Sequence, residues 1–393
     1  MGYLLEAYLN PYAFTISDVA PPSEITWLDG KALNSFFFIF THVFIDQKMM
    51  GLFALLFGAS AMLFLSNLKV KNLSTFCYFK RNLWLLLFGL LHATFLYSGD
   101  ILFIYSLCAL FLFPFSKLRP SLQLIVGLVI YCLPIYLQFK LQISINDFSV
   151  EQTQELTELW KPSLNSIKES IEFQRNSSYI EWIFPPHLWD EYSDVYSMYS
   201  NSLMIEAFAR SFGLMLIGMA FITLGVLPNH TKHKPVTFYR KLFAFGFTIG
   251  LTAIILGLWL NYYHEWDARY SVIGGRLLNH IGAPFMSCAY LAMLILLSNA
   301  NNVSLFIKKL QLGLQAMGRM ALTNYIMQSA FGLILFTNVG FGLFGQLNRL
   351  ELSCLVLAIC LFQFYFSSLW LKHFNYGPLE SLWRGLTYFK LIK

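Results

Sequence analysis

Charged residues are scarce in this sequence. Of its 393 residues, 12% are Asp, Glu, Lys or Arg and 57% are hydrophobic, whereas soluble domains average about 25% charged residues. So little charge cannot cover a water-soluble globule in which 18% of the residues are aromatic. The composition argues against a soluble cytosolic enzyme, a disordered chain and a nucleic-acid-binding protein. It indicates that the solvent of this protein is a lipid bilayer.

Several chemical motifs are also missing. The six cysteines form no CxxC pair and mostly lie within apolar runs, so neither a disulfide framework nor a zinc site is predicted. No Walker sequence, GxSxG, HExxH or Rossmann GxGxxG pattern occurs, which removes the common sequence signatures of hydrolases, nucleotide-binding proteins and zinc proteases. The N-terminus has no basic region followed by a continuous apolar core, so no cleavable signal peptide is predicted.

Long apolar stretches are abundant instead. A helix needs about 20 mostly apolar residues to cross the hydrocarbon core, and nine stretches approach or reach this length. We therefore predict an all-α, polytopic helical bundle with about nine transmembrane helices. The predicted spans are 49–65, 83–98, 101–116, 121–139, 204–227, 242–260, 281–298, 320–337 and 350–371.

Alternate loops carry the basic residues, which orients the bundle. Lys and Arg follow the first, third, fifth, seventh and ninth spans, so these loops and the C-terminus are predicted to be cytoplasmic in a cell membrane. The same bias explains the net charge of +6. Nine spans would place the N-terminus outside, and we expect one further span before it, ten in all. The chain is interpreted as a single transmembrane domain, 1–393, with an acidic extracytoplasmic loop at 140–202 and a cytoplasmic C-terminal helix within 372–393.

Charged groups are costly inside a bilayer and usually face a protein interior or a wet cavity. His92 is a candidate general base because imidazole titrates near neutral pH, and Asp100 would orient it or cap the next helix. His42 and Asp46 lie four residues apart, on one helical face, and form a second candidate pair. These four residues are the catalytic candidates, and a structural role is the alternative for each.

Other polar residues are candidates for substrate binding. Glu206 and Arg210, four apart, would form a salt bridge or hold a substrate. Arg319, Asn324 and Gln328 enter the eighth span, where the two amides are one turn apart and could bond across helices. A group at 261–280 resembles metal ligands only loosely, so no metal site is predicted. Within the C-terminal helix, Glu380 and Arg384 have the spacing of a favourable i,i+4 pair.

Four blocks of sequence, in order, resemble a known family. They are FIDQKMMGLFALLFGAS (44–60), KRNLWLLLFGLLHATFLYSGDILFIYSLCAL (80–110), GRMALTNYIMQSAFGLILFTNVGFGLFG (318–345) and FNYGPLESLWRGLTY (374–388). These blocks are similar to the bacterial YeiB-like membrane proteins, domain of unknown function 418. Members of that family usually carry an earlier span, and the resemblance implies that this sequence starts near the stretch that follows it, AxYxNPYA, here Ala7 to Ala13. The pattern of Arg81, Gly89, Gly99 to Leu102 and Tyr105 is distantly similar to the transmembrane acyltransferases of the heparan glucosaminide acetyltransferase type.

The resemblance leaves several functions open. As a membrane acyltransferase, the protein would bind the phosphates of cytoplasmic acyl-CoA through Lys80, Arg81, Lys308 and Lys309. It would then pass the acyl group to a small-molecule or envelope acceptor, with His92 or His42 as the base. As a small-molecule transporter, its buried polar residues would line a pathway, and broken helices are expected. As a scaffold or sensor, it would use the acidic loop as a partner surface. A homo-oligomer is compatible with each of these functions.

Overall fold

The computed structural model describes residues 31–145, 147–160, 164–185, 194–228, 234–299, 304–347 and 349–388. Every regular element in these ranges is helical. The first helices are α1 (Lys31–Phe44), α2 (Lys48–Val70), α3 (Phe76–Phe95), α4 (Ile101–Phe115), α5 (Pro120–Ile145), α6 (Val150–Trp160), α7 (Leu164–Asn176) and α8 (Tyr179–Ile183). They are followed by α9 (Asp194–Leu224), α10 (Val236–Tyr263), α11 (Ala268–Ser271), a π-helical segment (Val272–Leu277), α12 (Leu278–Ser298), α13 (Leu305–Arg319), α14 (Ala321–Phe336), α15 (Arg349–His373) and α16 (Pro378–Tyr388).

The helical membrane class is supported by the apolar helices. Within the described ranges, six helical stretches are long and apolar enough to cross a bilayer: 36–70, 120–145, 203–224, 236–263, 274–298 and 349–373. Two shorter apolar helices, α4 and α14, lie beside them. Large apolar side chains such as Phe53, Ile255 and Leu361 are exposed, as expected where lipid is the solvent. The count of nine spans remains a prediction.

The first predicted span is part of a longer, broken helical run. The helix begins upstream at α1 and is interrupted at residues 45–47, where Gln47 has a φ of 57°. A non-glycine residue with positive φ is uncommon and locally strained. The break separates α1 from α2 and brings polar side chains of its two ends into the protein interior.

Helix α9 is the most buried of the long apolar helices and packs against both α2 and α5. Glycines allow the close approach of α9 to α2. A Cβ atom on Gly58 would meet the backbone of Met215, and one on Gly218 would meet the backbone of Leu55. Small residues at such crossings are typical of membrane helix pairs. Helices α10 and α12 form a second tightly packed pair, and α3 and α4 form a helical hairpin.

The structure corrects several boundaries from the sequence. Helix α3 begins seven residues before its predicted span, at Phe76, and α9 begins at Asp194, inside the predicted acidic loop. The loop itself contains α6, α7 and α8, and the predicted loop after the seventh span contains helix α13. Helix α13 was missed because only one of its faces is apolar, and such a helix does not register as a continuous hydrophobic run.

One contact of the C-terminal helix differs from its prediction. Within 372–393 the structure describes α16, which packs against α3 and α14. The prediction of an ion pair between Glu380 and Arg384 is wrong. The Glu380 carboxylate instead accepts hydrogen bonds from the backbone N–H and the hydroxyl of Thr323, at 3.0 and 2.6 Å, and the Arg384 guanidinium lies over the Tyr376 ring. The two donors satisfy a buried carboxylate that would otherwise lose its hydrogen bonds to water.

Candidate functional site

The α3–α4 hairpin carries two of the predicted catalytic residues. A Cβ atom on Gly89 would lie 2.5 Å from the backbone nitrogen of Phe103, so only glycine allows α3 and α4 to approach this closely. The chain turns back sharply between the helices. This turn places His92, in the last turn of α3, beside Asp100, which precedes α4.

The hairpin contacts α14 through a set of buried polar side chains. His92 Nδ1 lies 2.9 Å from Asp100 Oδ1, an ion-pair distance, although the alignment is not that of an ideal hydrogen bond. On the other side of the ring, His92 Nε2 lies 2.7 Å from Ser329 Oγ. The three residues are at most 5% exposed. We name this set, Ser329, His92 and Asp100, the serine relay.

Two further contacts hold the carboxylate of the relay. The Tyr325 hydroxyl donates to Asp100 Oδ1 at 2.7 Å, and the Phe103 backbone N–H donates to Asp100 Oδ2 at 2.5 Å. The second bond is the N-cap of α4, because the first backbone N–H groups of a helix have no intrahelical acceptor. Asp100 therefore caps a helix and faces a histidine, and these two roles use different oxygens.

Ser329 was missed by reasoning from the sequence. The sequence around it, NYIMQSA, matches no serine-nucleophile motif, and its base lies 237 positions away in the chain. A weaker signal was available, since Tyr325 and Ser329 are four residues apart and therefore share a face of α14. This face meets the hairpin.

The predicted residues Asn324 and Gln328 lie on a different face of α14. The Asn324 amide donates to the Ser367 hydroxyl at 2.9 Å, and the Gln328 amide donates to Gln363 at 2.7 Å. These bonds join α14 to α15, which is the interhelical alternative considered for both residues. Arg319 lies at the end of α13 and donates to the backbone carbonyl of Asn375 at 2.7 Å. None of these contacts brings the three residues into the serine relay.

The second predicted histidine–carboxylate pair lies at the α1–α2 break. His42 Nδ1 is 3.6 Å from Asp46 Oδ2, and both side chains are buried. Neither ring nitrogen of His42 has a hydrogen-bond partner among the described residues. Next to this pair, Lys48 is fully buried and donates to Asn279 Oδ1 at 2.6 Å and to the backbone carbonyl of His42.

Glu206 and Arg210 belong to a larger cluster. The Glu206 carboxylate lies 3.1 Å from Arg210 Nη1 and 2.7 Å from Arg276 Nη2. His280 Nδ1 is 3.7 Å from Glu206 Oε1, and the Gln138 amide donates to Oε2 at 3.2 Å. We name these five residues the Glu206 cluster. Arg276 and His280 belong to the group at 261–280 described above, which the sequence did not connect to Glu206.

The residues predicted to bind acyl-CoA have different environments. The Arg81 guanidinium lies between two aromatic rings, 4.5 Å from the centroid of Phe64 and 4.6 Å from that of Trp383. This cation–π stacking fixes Arg81 in the packing of α2, α3 and α16. Lys80 is half-buried near the same end of α3, and Lys308 and Lys309 are exposed on α13.

The acidic loop covers the end of the hairpin where α3 turns into α4. The Tyr179 hydroxyl, at the start of α8, donates to the Phe95 carbonyl, the last of α3, at 2.7 Å. Trp182 and Ile171 pack against a buried apolar group that includes Tyr97 and Phe336. The loop positions Trp189, Asp190 and Glu191 lie outside the described residues. In the described part of the chain, no group of three His, Cys, Asp or Glu residues is arranged to hold a metal ion.

The fold and these buried groups define a helical membrane protein with an interior polar site. The family described as "Protein of unknown function (DUF418)" matches residues 223–390. The "Uncharacterized protein YxaH" of Bacillus subtilis (strain 168) is 30% identical over 353 residues, 88% of this chain and 80% of that protein. The chain belongs to this DUF418 family of YeiB-like proteins.

Two other relatives extend the same comparison. The "Uncharacterized protein YeiB" of Escherichia coli (strain K12) is 29% identical over 97% of this chain and 89% of its own length. The "Uncharacterized 39.9 kDa protein in amylase 3'region" of Bacillus acidopullulyticus is 25% identical over 89% of this chain and 82% of its own length. No solved structure matches the chain.

Proposed function

We propose that the protein is a membrane acyltransferase in which Ser329 carries the acyl group, His92 moves the proton and Asp100 orients the imidazole. The observation that supports this proposal is the serine relay, with separations of 2.7 and 2.9 Å between buried side chains. A hydroxyl, an imidazole and a carboxylate in this order form the arrangement that activates a serine for acyl transfer.

The first step loads the serine. Ser329 Oγ attacks the thioester carbonyl of acyl-CoA, a C–O bond forms and the C–S bond breaks. The serine proton passes to His92 Nε2 and then to the departing thiolate sulfur. With its proton on Nδ1, facing Asp100, the imidazole has a lone pair on Nε2 that accepts the serine proton.

The second step transfers the acyl group from Ser329 to the acceptor. An acceptor hydroxyl or amine attacks the acyl-serine carbonyl, and its proton passes to His92 Nε2. The bond between the acyl carbon and Ser329 Oγ then breaks, and the proton returns to this oxygen. The proposed acceptor is a small molecule or an envelope component, which approaches from the side that the acidic loop covers.

The basic end of α3 is the proposed entrance for the donor. Eleven residues separate Arg81 from His92, which is about 16 Å along a helix axis at 1.5 Å per residue. The pantetheine arm of acyl-CoA has a length of this order. Lys80, Lys308 and Lys309 are the proposed phosphate contacts, whereas Arg81 shapes this end through its aromatic neighbours.

An experiment that needs no knowledge of the acceptor tests the nucleophile. A membrane-permeant alkyl fluorophosphonate reacts with serines that a neighbouring base activates. We expect it to label the purified protein in detergent, with Ser329 as the modified residue in peptide mass spectrometry. Ser329→Ala and His92→Ala should remove the label.

Ser287→Ala is the matched control. Ser287 is also fully buried, but its hydroxyl donates to the backbone carbonyls of Lys48 and Ala283 and not to a histidine. This variant should label like the wild type. Labelling that survives in Ser329→Ala, or a wild-type protein that is not labelled while folded, would contradict the proposed nucleophile.

Acyl-CoA itself tests the donor. After incubation with acetyl-CoA or a longer acyl-CoA, peptide mass spectrometry should find an ester on Ser329. Because a ligand of the folded state raises its apparent stability, a saturable thermal shift should accompany the reaction. The shift should weaken in a variant that neutralises Lys80, Lys308 and Lys309. If Ser329 reacts with the fluorophosphonate but takes no acyl group from any acyl-CoA, the proposed nucleophile stands and acyl-CoA is rejected as the donor.

A small-molecule transporter is the second candidate. It is favoured by the α1–α2 break with its positive-φ Gln47 and by the π-helical segment before α12, because interrupted helices form the substrate sites of many transporters. Efflux or uptake by proteoliposomes that persists undiminished in Ser329→Ala would favour transport. The same conclusion would follow if Ser329→Ala lost the fluorophosphonate label but kept the wild-type flux.

A further inference from the structure

Helix α13 differs from the long apolar helices because it is short and carries charge. Its 15 residues extend about 22 Å at 1.5 Å per residue, which is less than the hydrocarbon core of about 30 Å. The helix contains Lys308 and Lys309, and it is not one of the stretches that are long and apolar enough to cross a bilayer. Most of its side chains are nevertheless exposed.

One face of α13 is packed against the bundle. A Cβ atom on Gly313 would meet the ring of Phe364 in α15, so this glycine allows the two helices to approach closely. Gln311 donates to a backbone carbonyl in the last turn of α12 at 2.9 Å. Arg319 donates to a backbone carbonyl between α15 and α16 at 2.7 Å. These contacts hold the second half of α13 in place.

Large apolar side chains flank the packed face on both sides. Ile307, Leu310 and Leu314 have the i, i+3, i+7 spacing of one helical stripe. Leu305 and Leu312, seven residues apart, lie on the opposite flank. All five side chains are between 40% and 79% exposed. Beside a bundle of apolar helices, such exposed flanks indicate contact with lipid.

The polar side chains of α13 lie mainly opposite the packed face. Lys308 and Gln315 are seven residues apart on this stripe, and both are exposed. Lys309 lies instead on the flank of Leu305 and Leu312, where its alkyl stem can follow apolar side chains while the ammonium reaches the headgroups. A helix with a polar face, apolar flanks and lysines is typical of helices that lie in the plane of the membrane interface.

The position of α13 in the bundle indicates the charge of the lipid that it meets. The last turn of α13 contacts the segment before α16, and Trp383 of α16 donates to the Arg81 carbonyl near the start of α3. The exposed Lys372, near the end of α15, lies next to this segment. Tyr179 of the acidic loop contacts Phe95, at the opposite end of α3. By the predicted orientation the basic end faces the cytoplasmic leaflet, whose surface is negative.

We infer that α13 lies in the membrane interface and binds the anionic lipid headgroups of the leaflet at the basic end of the bundle. The apolar flanks lie among the first carbons of the acyl chains, and Lys308 and Lys309 contact the headgroup phosphates. This binding requires neither a catalytic serine nor acyl-CoA. That acyl-CoA competes with lipid for the two lysines rests on the proposed function.

Photo-cross-linking in nanodiscs tests where α13 lies. The full chain carries benzoylphenylalanine in place of Leu314, Gln315 or Leu361, in nanodiscs of phosphatidylcholine mixed with phosphatidylglycerol. After irradiation, mass spectrometry should find phospholipid adducts at position 314 and at position 361, an exposed position of α15. Few adducts should occur at position 315, which is adjacent in sequence but on the polar stripe. Equal adducts at 314 and 315, or none at 314 in a folded protein, would overturn the inference.

The composition of the adducts tests the charge of the partner. Phosphatidylglycerol should be enriched at position 314 relative to position 361, because each nearby lysine strengthens attraction to an anionic surface about fivefold. The double variant Lys308→Gln, Lys309→Gln should lower this enrichment to the level found at position 361. Enrichment that is absent from the wild-type helix, or that persists in the double variant, would reject anionic lipid as the partner.

A matched variant tests for a general effect of net charge. Lys69→Gln with Lys71→Gln removes the same charge from exposed positions at the end of α2, and it should keep the enrichment at position 314. Equal losses in the two double variants would show that overall charge attracts the lipid, and they would overturn the role of α13.

Ser329→Ala separates this inference from the proposed function. In the protein with the cross-linker at position 314, this substitution should abolish fluorophosphonate labelling and leave the lipid adducts and their composition unchanged. Either proposal can therefore fail while the other stands.

Discussion

Two buried histidine–aspartate pairs lie in the part of the chain that the structure describes, and they differ in how they are held. His42 and Asp46 lie four residues apart at the α1–α2 break, 3.6 Å from each other, and neither ring nitrogen of His42 has a hydrogen-bond partner in the described ranges. His92 and Asp100 approach to 2.9 Å, with a serine on one side and a tyrosine on the other.

The comparison shows that proximity in sequence is a poor guide to a preorganised site. An i,i+4 spacing places two side chains on one face but fixes neither rotamer, whereas a hairpin held by backbone contact and a third helix fixes both partners. Electrostatic and proton-transfer catalysis depends on groups that are already oriented. The less obvious pair in the sequence is the better candidate in the structure.

Removing each imidazole in turn should give the largest difference between the two pairs. His92→Ala should slow fluorophosphonate labelling of Ser329 by about 10²- to 10⁴-fold, the usual contribution of a general base. His42→Ala should leave the labelling rate within a few-fold of wild type. The measurement is the second-order rate of labelling, with the melting temperature as a check of folding. Equal losses in the two folded variants would contradict a special role for His92.

The two carboxylates allow a subtler test. Asp100→Asn keeps a helix cap, because Asn and Asp cap about equally well, but it removes the charge that faces His92. Labelling should fall about 10- to 100-fold, since charge-assisted contacts of this kind contribute about 1.5–3 kcal/mol. Asp46→Asn should have little effect on labelling. A rate unchanged in Asp100→Asn would show that the carboxylate only caps α4.

The tyrosines next to the two pairs should show smaller differences. Tyr325→Phe removes the hydroxyl that donates to Asp100. It should slow labelling about 2- to 10-fold, less than the full effect of about 1.5–3 kcal/mol for a hydrogen bond to a charged group, because the carboxylate keeps its charge and its bond to the Phe103 N–H. Tyr290→Phe removes a hydroxyl that donates to the Phe44 carbonyl beside the other pair. It should lower the melting temperature slightly and leave the labelling rate unchanged. A larger rate effect for Tyr290→Phe would reverse the assignment.

The dependence of the His92–Asp100 pair on its hairpin predicts an effect on stability, which is measured separately from the labelling rate. Gly89→Ala would place a methyl group against the Phe103 backbone and should destabilise the protein by about 1–3 kcal/mol, the usual cost of overpacking. Gly318→Ala is the control, because nothing lies within 4 Å of a Cβ atom at that position. Thermal unfolding measures both. A neutral Gly89→Ala would mean that the hairpin can open without penalty.

The helical class and most long helices could be predicted from the sequence because apolar runs long enough to span a bilayer seldom occur in soluble proteins. The α13 helix could not be located in this way, since one of its faces is polar. The break at Gln47 and the π-helical segment were also missed. Both depend on local backbone geometry that hydropathy does not encode.

The site was predicted only in part for a related reason. His92 and Asp100 were recognisable as candidates because a charged group inside an apolar run is costly and usually has a partner or a function. Ser329 carries no such cost, since a serine can bond to its own helix, and nothing in the sequence links it to a histidine 237 positions away. Arg276 and His280 were seen as loop residues, and only the folded arrangement of α12, α5 and α9 brings them to Glu206.

The Asp100 contacts also have a consequence for how this position evolves. A single side chain begins helix α4 through one oxygen and faces His92 through the other. Most substitutions that remove the negative charge therefore also loosen the start of a helix, and a chain that loses its chemistry also becomes harder to fold. Selection for a well-folded protein in the membrane would thus preserve a capping side chain at this position, Asp or Asn, even in a lineage whose substrate had disappeared, and only selection for the chemistry would keep the charge.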